Sequence, residues 1–117
     1  MAGIDFNAQV LLKAMDLRLK KHASIAGNIA NADTPGYRPK AVSFEAELQK
    51  LIQSGDTKDL KRLDARVHTV DDKIPRLDGN TVSLDRQMAA MTENTTVYSA
   101  TAEFLKKKIA MLKRAIS

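Results

Sequence analysis

Cysteine is absent from this 117-residue chain, so it has neither disulfide cross-links nor thiolate metal sites, and cysteine usage leaves the redox compartment open. Tryptophan is absent as well and aromatic residues amount to only 4%, which removes the large rings that dominate most small cores. No apolar run approaches the roughly 20 residues needed to cross a bilayer. Residues 1–9 lack a basic stretch followed by an apolar one, so a cleaved secretory signal is not expected. Glycine is sparse and scattered at five positions, with no phosphate-cradling loop and no nucleophile elbow around any serine. His22 and His68 stand far apart, without a second ligand at helical spacing. They read as a helix-seam residue and a strand-face residue rather than as a metal pair. Asp71-Asp72 are paired carboxylates in an expected turn, where solvation accounts for them. The expectation is a non-enzyme without cofactor or metal.

What is present is Ala, Leu, Ile, Val and Met, within a 44% apolar share. These residues suit helix-to-helix seams. The length suits a single domain over residues 1–117, and the fold expected is mainly α. Two long terminal helices pack as a coiled coil, with a short central helix and an irregular or small β-hairpin segment between them. The net charge of +5 raises nucleic acid or an acidic membrane surface as candidate partners.

Along the chain, Ala8, Leu12, Met15, Leu19, His22, Ala26 and Ile29 recur at alternating spacings of four and three, one stripe on a helix over residues 5–31. Gly27 lies inside it, where glycine costs about 1 kcal/mol relative to alanine. With Ala23, Ala26 and Ala30 it makes one end thin and points to close helix approach. The segment 32–40 then breaks the helix. Pro35 presets φ and Gly36 supplies the positive φ of a type II turn, while Arg38 before Pro39 is pushed out of the α region.

Ser43 is the expected cap of a short helix over residues 43–53, with Glu45 and Glu47 near its positive end and Phe44, Leu48, Leu51 and Ile52 on one side. Ser54-Gly55-Asp56 ends it. Residues 54–82 read as linker plus a possible hairpin: 57–66 has no period, 66–70 alternates and is β-branched, and 73–77 is its expected partner around Asp71-Asp72. Pro75 confines that partner to an edge, and Asp78-Gly79-Asn80 is a further turn.

The strongest pattern begins at Ser83, a good N-cap, with Asp85 in the first turn. Leu84, Met88, Met91, Thr95, Tyr98, Ala102, Leu105, Ile109, Leu112 and Ile116 form one stripe over a helix of residues 83–117, about 50 Å long at 1.5 Å per residue. The seam residues are therefore Leu12, Met15, Leu19, Ala26 and Ile29 on the first helix with Leu84, Met88, Met91, Tyr98, Leu105, Ile109 and Leu112 on the last. Lys106-Lys107-Lys108, with Lys113 and Arg114, is the sharpest charge feature. It fits phosphate or anionic lipid, but the stripe runs through the same segment and turns the lysines outward, toward solvent or a neighbouring subunit. No aromatic stacking platform accompanies them.

The run Asn28-Ile29-Ala30-Asn31-Ala32-Asp33-Thr34-Pro35-Gly36-Tyr37 resembles the motif that follows the first helix in bacterial flagellar rod and hook proteins. Its marker residues here are Asn28, Asn31, Thr34, Pro35, Gly36 and Tyr37. The stretch from Asp78 to Met88, and the run from Met91 through Glu93-Asn94 and Tyr98 to Leu112-Lys113, are similar to the last helix of the family's proximal rod members. The resemblance implies a structural subunit of the basal-body rod, the drive shaft of motility. It further implies export by the flagellar type III apparatus without a cleaved signal peptide and polymerisation in the periplasm. The neighbours it implies are other copies of the chain, the sister proximal rod protein FlgC, the distal rod proteins and the adaptor FliE at the export gate.

Overall fold

The computed structural model describes residues 5–69 and 83–116. Helix α1, Phe6–Ala30, opens on Asp5, whose carboxylate accepts the Ala8 N–H at 2.8 Å and so satisfies one of the free amides of the first turn. It closes at Asn31, whose backbone N–H and side-chain amide both donate to the Gly27 carbonyl, at 3.1 and 2.8 Å. The expected type II turn follows: Tyr37 N–H donates to Thr34 O at 3.2 Å, with Pro35 and Gly36 between them and Gly36 at φ +76°.

Strand β1, Lys40–Ser43, comes next, so the expected turn segment ends in a strand. Helix α2, Glu45–Ser54, begins after Phe44 rather than after Ser43, and no side-chain oxygen caps it. Ser43 is instead paired in the sheet, and the Phe44 ring, 1% exposed, draws the cap position into the core. Gly55 ends α2 in the left-handed region at φ +71° and donates to Leu51 O.

The stretch expected to be linker contains a further helix, α3, Thr57–Arg62. Asp56 caps it by accepting the N–H groups of Lys58 and Asp59, at 2.9 and 3.2 Å. Six residues are too few to display a 3.6-residue period, and α3 is held by one apolar anchor, the buried Leu60. Strand β2, Arg66–Thr69, lies where alternation placed it, but it pairs antiparallel with β1, from Lys40 opposite Thr69 to Ser43 opposite Arg66. Residues 73–77, the partner expected from sequence, and the turn at Asp78-Gly79-Asn80 lie outside the described residues. The last helix, α4, runs Leu84–Ile116, and its Ser83 cap accepts the Arg86 N–H at 3.4 Å.

One face of α1 makes the core. Leu17, Val42, Phe44, Leu48 and Leu60 are buried together, with Phe6, Val10, Ala14, Leu51, Leu63 and Ala65 against them. Above Phe44 lie the Arg18 guanidinium at 5.1 Å and the Lys21 ammonium at 5.9 Å from the ring centre. Helix α4 contributes nothing to this cluster and packs on a different face of α1, antiparallel to it. The polar pairs Asp5–Lys108, Arg18–Asn94 and Asn28–Gln87 mark that direction. The molecule measures 62 × 24 × 16 Å with a radius of gyration of 17.6 Å, whereas about 13 Å suits a compact chain of this size.

Candidate assembly interface

The apolar stripes do not coincide with the line along which the helices meet. On α1, Leu11 and Arg18 are half-buried and Ile25 is buried. Leu12, Leu19 and Ala26, each one residue further and so about 100° round the helix, are exposed. His22, expected in the seam, is exposed as well. On α4, Gln87, Met91, Tyr98, Leu105 and Leu112 are half-buried, while Leu84, Met88 and Ile109 are open to solvent. The stripes are wider than the contact, and the surplus of each is left uncovered.

The two surplus edges adjoin. Ala26, Ile29 and Ala30 of α1 face Met88, Met91 and Thr92 of α4 across one shallow groove, and Leu19 and His22 face Thr95 and Tyr98 across another. A third groove, lined by Ala102, Leu105, Lys106, Ile109, Ala110 and Lys113, lies on α4 alone. Of the expected seam residues, Met15, Ile29, Met91, Tyr98, Leu105 and Leu112 are half-buried, and Leu12, Leu19, Ala26, Leu84, Met88 and Ile109 are exposed.

The turn motif is organised by Asn28, 1% exposed. Its Nδ2 donates to Lys40 O at 2.7 Å and Gln87 Oε1 at 3.0 Å, and its Oδ1 accepts from Tyr37 Oη at 3.0 Å and Lys40 N at 2.9 Å. That is the full capacity of a carboxamide. One side chain thus ties together α1, the turn, β1 and α4. Asn31 Oδ1 accepts from Thr34 Oγ1 at 3.2 Å, which holds the turn's first residues against the helix end.

A second buried carboxamide, Asn94, was named only within the family resemblance and not as a seam residue. It is 2% exposed, donates from Nδ2 to Arg18 O at 2.8 Å and accepts from Arg18 Nη1 at 3.2 Å. Its spacing was legible, since Gln87, Met91, Asn94 and Tyr98 continue the four-and-three rhythm. Only its polarity hid it. The same Arg18 approaches Glu45 at 3.8 Å, and Lys21 binds Glu45 at 2.8 Å. Burial pushes the Glu45 carboxyl up, but the Lys21 ammonium and the neighbouring backbone amides outweigh it and hold it below its ordinary value.

Two expectations need correction. A Cβ built on Gly27 meets no atom within 4 Å, so the backbones do not approach closely there. Helix α4 meets that end of α1 through the long side chains Gln87, Met88 and Met91. Lys108 does not point away with Lys106 and Lys107: its Nζ reaches Asp5 Oδ2 at 2.8 Å. That hydrogen bond, with the Ala8 amide, holds the Asp5 carboxyl below the ordinary range. Among the described residues no cluster of His, Asp or Glu is arranged to hold a metal ion, and no helix is long and apolar enough to cross a membrane.

Comparison with known proteins places this sequence in a family. Residues 9–38, which hold most of α1 and the Asn28 turn, match the family model for the flagella basal body rod protein. The chain is 32% identical to the flagellar basal body rod protein FlgB of Escherichia coli K12, over 83% of both chains. It is 31% identical to that of Proteus mirabilis HI4320 over 83% of both, and 32% to that of Borreliella burgdorferi over 82% of both. The chain belongs to the FlgB family of flagellar basal body rod proteins. Nucleic-acid or membrane-surface binding by its basic end gains no support from these relatives.

Proposed function

We propose that the chain is a structural subunit of the proximal rod, and that it polymerises by burying the uncovered edges of α1 and α4 against neighbouring subunits. The observation that carries this reading is the displacement of both apolar stripes from the line where the helices meet. Leu12, Leu19, Leu84, Met88 and Ile109 stay exposed along the length of the pair. Exposed apolar surface of that extent favours association by about 25 cal/mol for each Å² removed from water. Contacts between different patches on identical subunits build an open helical shaft when the rotation between neighbours does not close a ring, and that is the assembly proposed for this chain.

In this reading the neighbours are further copies of the chain, FlgC, the distal rod proteins and FliE. Export is by the flagellar type III route and assembly takes place in the periplasm. Packed helical seams resist shear as protein interiors do, which suits a shaft that transmits torque.

The test is Ile109→Asp, introduced into a motile bacterium lacking its own FlgB. Ile109 is 45% exposed, so the isolated variant keeps its circular dichroism spectrum and melts within about 0.5 kcal/mol of the parent. A carboxylate in the buried seam of an assembly is costly. Motility is lost, and mass spectrometry of hook-basal bodies no longer finds the chain. Lys107→Ala leaves both intact. Unimpaired swimming with Ile109→Asp rules out this edge as the seam.

A further inference from the structure

The apolar part of the α1–α4 seam is degenerate in register. Met91, Tyr98, Leu105 and Leu112 recur every seven residues, and so do Leu11, Arg18 and Ile25 on α1. Apolar pairs at that repeat tolerate a slip of one heptad, because each residue finds an equivalent partner seven positions on. Asn94 does not. It is the buried residue of α4, and both of its hydrogen bonds go to one residue of α1, to the carbonyl and to the guanidinium of Arg18. A slip of seven carries it opposite Leu11 or Ile25, which offer a backbone carbonyl but no side-chain donor to replace the guanidinium.

We propose that Asn94 is a positioning residue: it selects one stagger of the antiparallel helices and thereby composes the groove in which Leu19 and His22 face Thr95 and Tyr98. The other polar ties are weaker guides. Asp5–Lys108 is an ion pair at the surface, with Asp5 exposed and Lys108 half-buried, and such pairs are of small worth. Gln87 is half-buried and meets an Asn28 that β1 and Tyr37 hold in place whether or not Gln87 is there.

The role has a signature that a merely stabilising contact lacks. The Arg18 carbonyl belongs to a helix turn, and its guanidinium keeps Glu45 and the Phe44 ring when Asn94 is removed. Leucine at position 94 therefore leaves no strongly unsatisfied partner and adds apolar contact. Polar residues in helical seams commonly fix register at a cost in stability. The consequence for assembly rests on the seam reading above; the stagger itself is a property of the monomer.

The chain lacks cysteine, so spin labels go cleanly onto cysteines introduced at the exposed Ala23 and Glu103. In the native stagger they lie about 20 Å apart along the axis, and one heptad of slip moves them by roughly 10 Å. Double electron–electron resonance on the labelled full chain is expected to give one narrow distance. In Asn94→Leu it gives a second population displaced by about a heptad, with a melting temperature unchanged or raised. Asn94→Ala, which adds no apolar bulk, shows the same second population. A single parental distance in both variants overturns the proposal, and so does a lowered melting temperature or unfolding in both, which marks a stabilising contact only. A split distance, together with normal assembly of Ile109→Asp, sinks the seam reading and leaves the stagger proposal standing.

Discussion

Four hydrogen bonds converge on the Asn28 carboxamide, and truncating it takes the side-chain acceptor from the Lys40 amide and leaves the Lys40 carbonyl to the Ser24 hydroxyl alone among side chains, at 3.2 Å. Asn28→Ala is expected to cost about 2–3 kcal/mol, the scale of a buried polar group left unpaired, and to lower the urea midpoint with little change in slope. The glycines divide by backbone conformation. Gly27 is helical with open space where a Cβ would go, so Gly27→Ala should stabilise by about 0.5–1 kcal/mol. Gly36 sits at φ +76°, and Gly36→Ala should destabilise by about 1–2 kcal/mol. Thermal melting of the pair reads both signs. The Gly36 turn was legible because Pro-Gly chemistry is local, whereas the space around Gly27 depends on how α4 approaches.

Each element is held by a few anchors, and similar residues differ by what covers them. Phe44 is enclosed by α1, β1 and α2, and Phe44→Ala should cost about 3–5 kcal/mol. Phe104, 64% exposed on α4, should change monomer stability by less than about 0.5 kcal/mol when replaced by alanine. Helix ends respond to pH. The Asp5 carboxyl is depressed below its ordinary 3.8 by Lys108 and the Ala8 amide. Its contribution is therefore complete above pH 3.8 and is lost as pH falls through the depressed value. Carbon secondary shifts of α1's first turn and of α4 around Lys108 should lose helical character in that window, ahead of Leu17 and Phe44, and Asp5→Asn should remove the step. Lys20, raised above 10.5 by Asp64, works the other way: its contribution is present below 10.5 and is lost as pH rises through the raised value. α3 and the β1–β2 pairing were the parts least legible in sequence. A six-residue helix shows no period, and strand pairing between residues 40–43 and 66–69 is non-local.

At the scale of the whole molecule, the length of α4 sets the shape. A helix of 33 residues spans about 50 Å, most of the 62 Å long axis, and one short middle segment cannot cover both long helices. The side of α1 that meets β1, α2 and α3 carries the monomer's core, and the opposite edge of the pair is left for neighbours. Assembly should therefore protect Met88, which lies on that edge, from peroxide oxidation, as read by peptide mass spectrometry of monomer against isolated rods. Protection absent in the rod would remove Met88 from the interface.

The two long helices, the Ser83 cap, the Pro35-Gly36 turn and the family were legible in the sequence by itself, because helix periodicity, capping and turn geometry act over a few residues and need no knowledge of the rest of the chain. The direction of each apolar stripe was not. A stripe states that a helix has an apolar side, while its rotation toward a particular partner is decided by every other contact the helix makes. Phe44 and Leu60 pull α1 toward the middle segment, and Asn28 and Asn94 tie α4 to α1 at fixed points. Tertiary structure alone decided that these contacts leave Leu19, Met88 and Ile109 facing outward, because packing satisfied the core and the buried carboxamides first and exposed what remained.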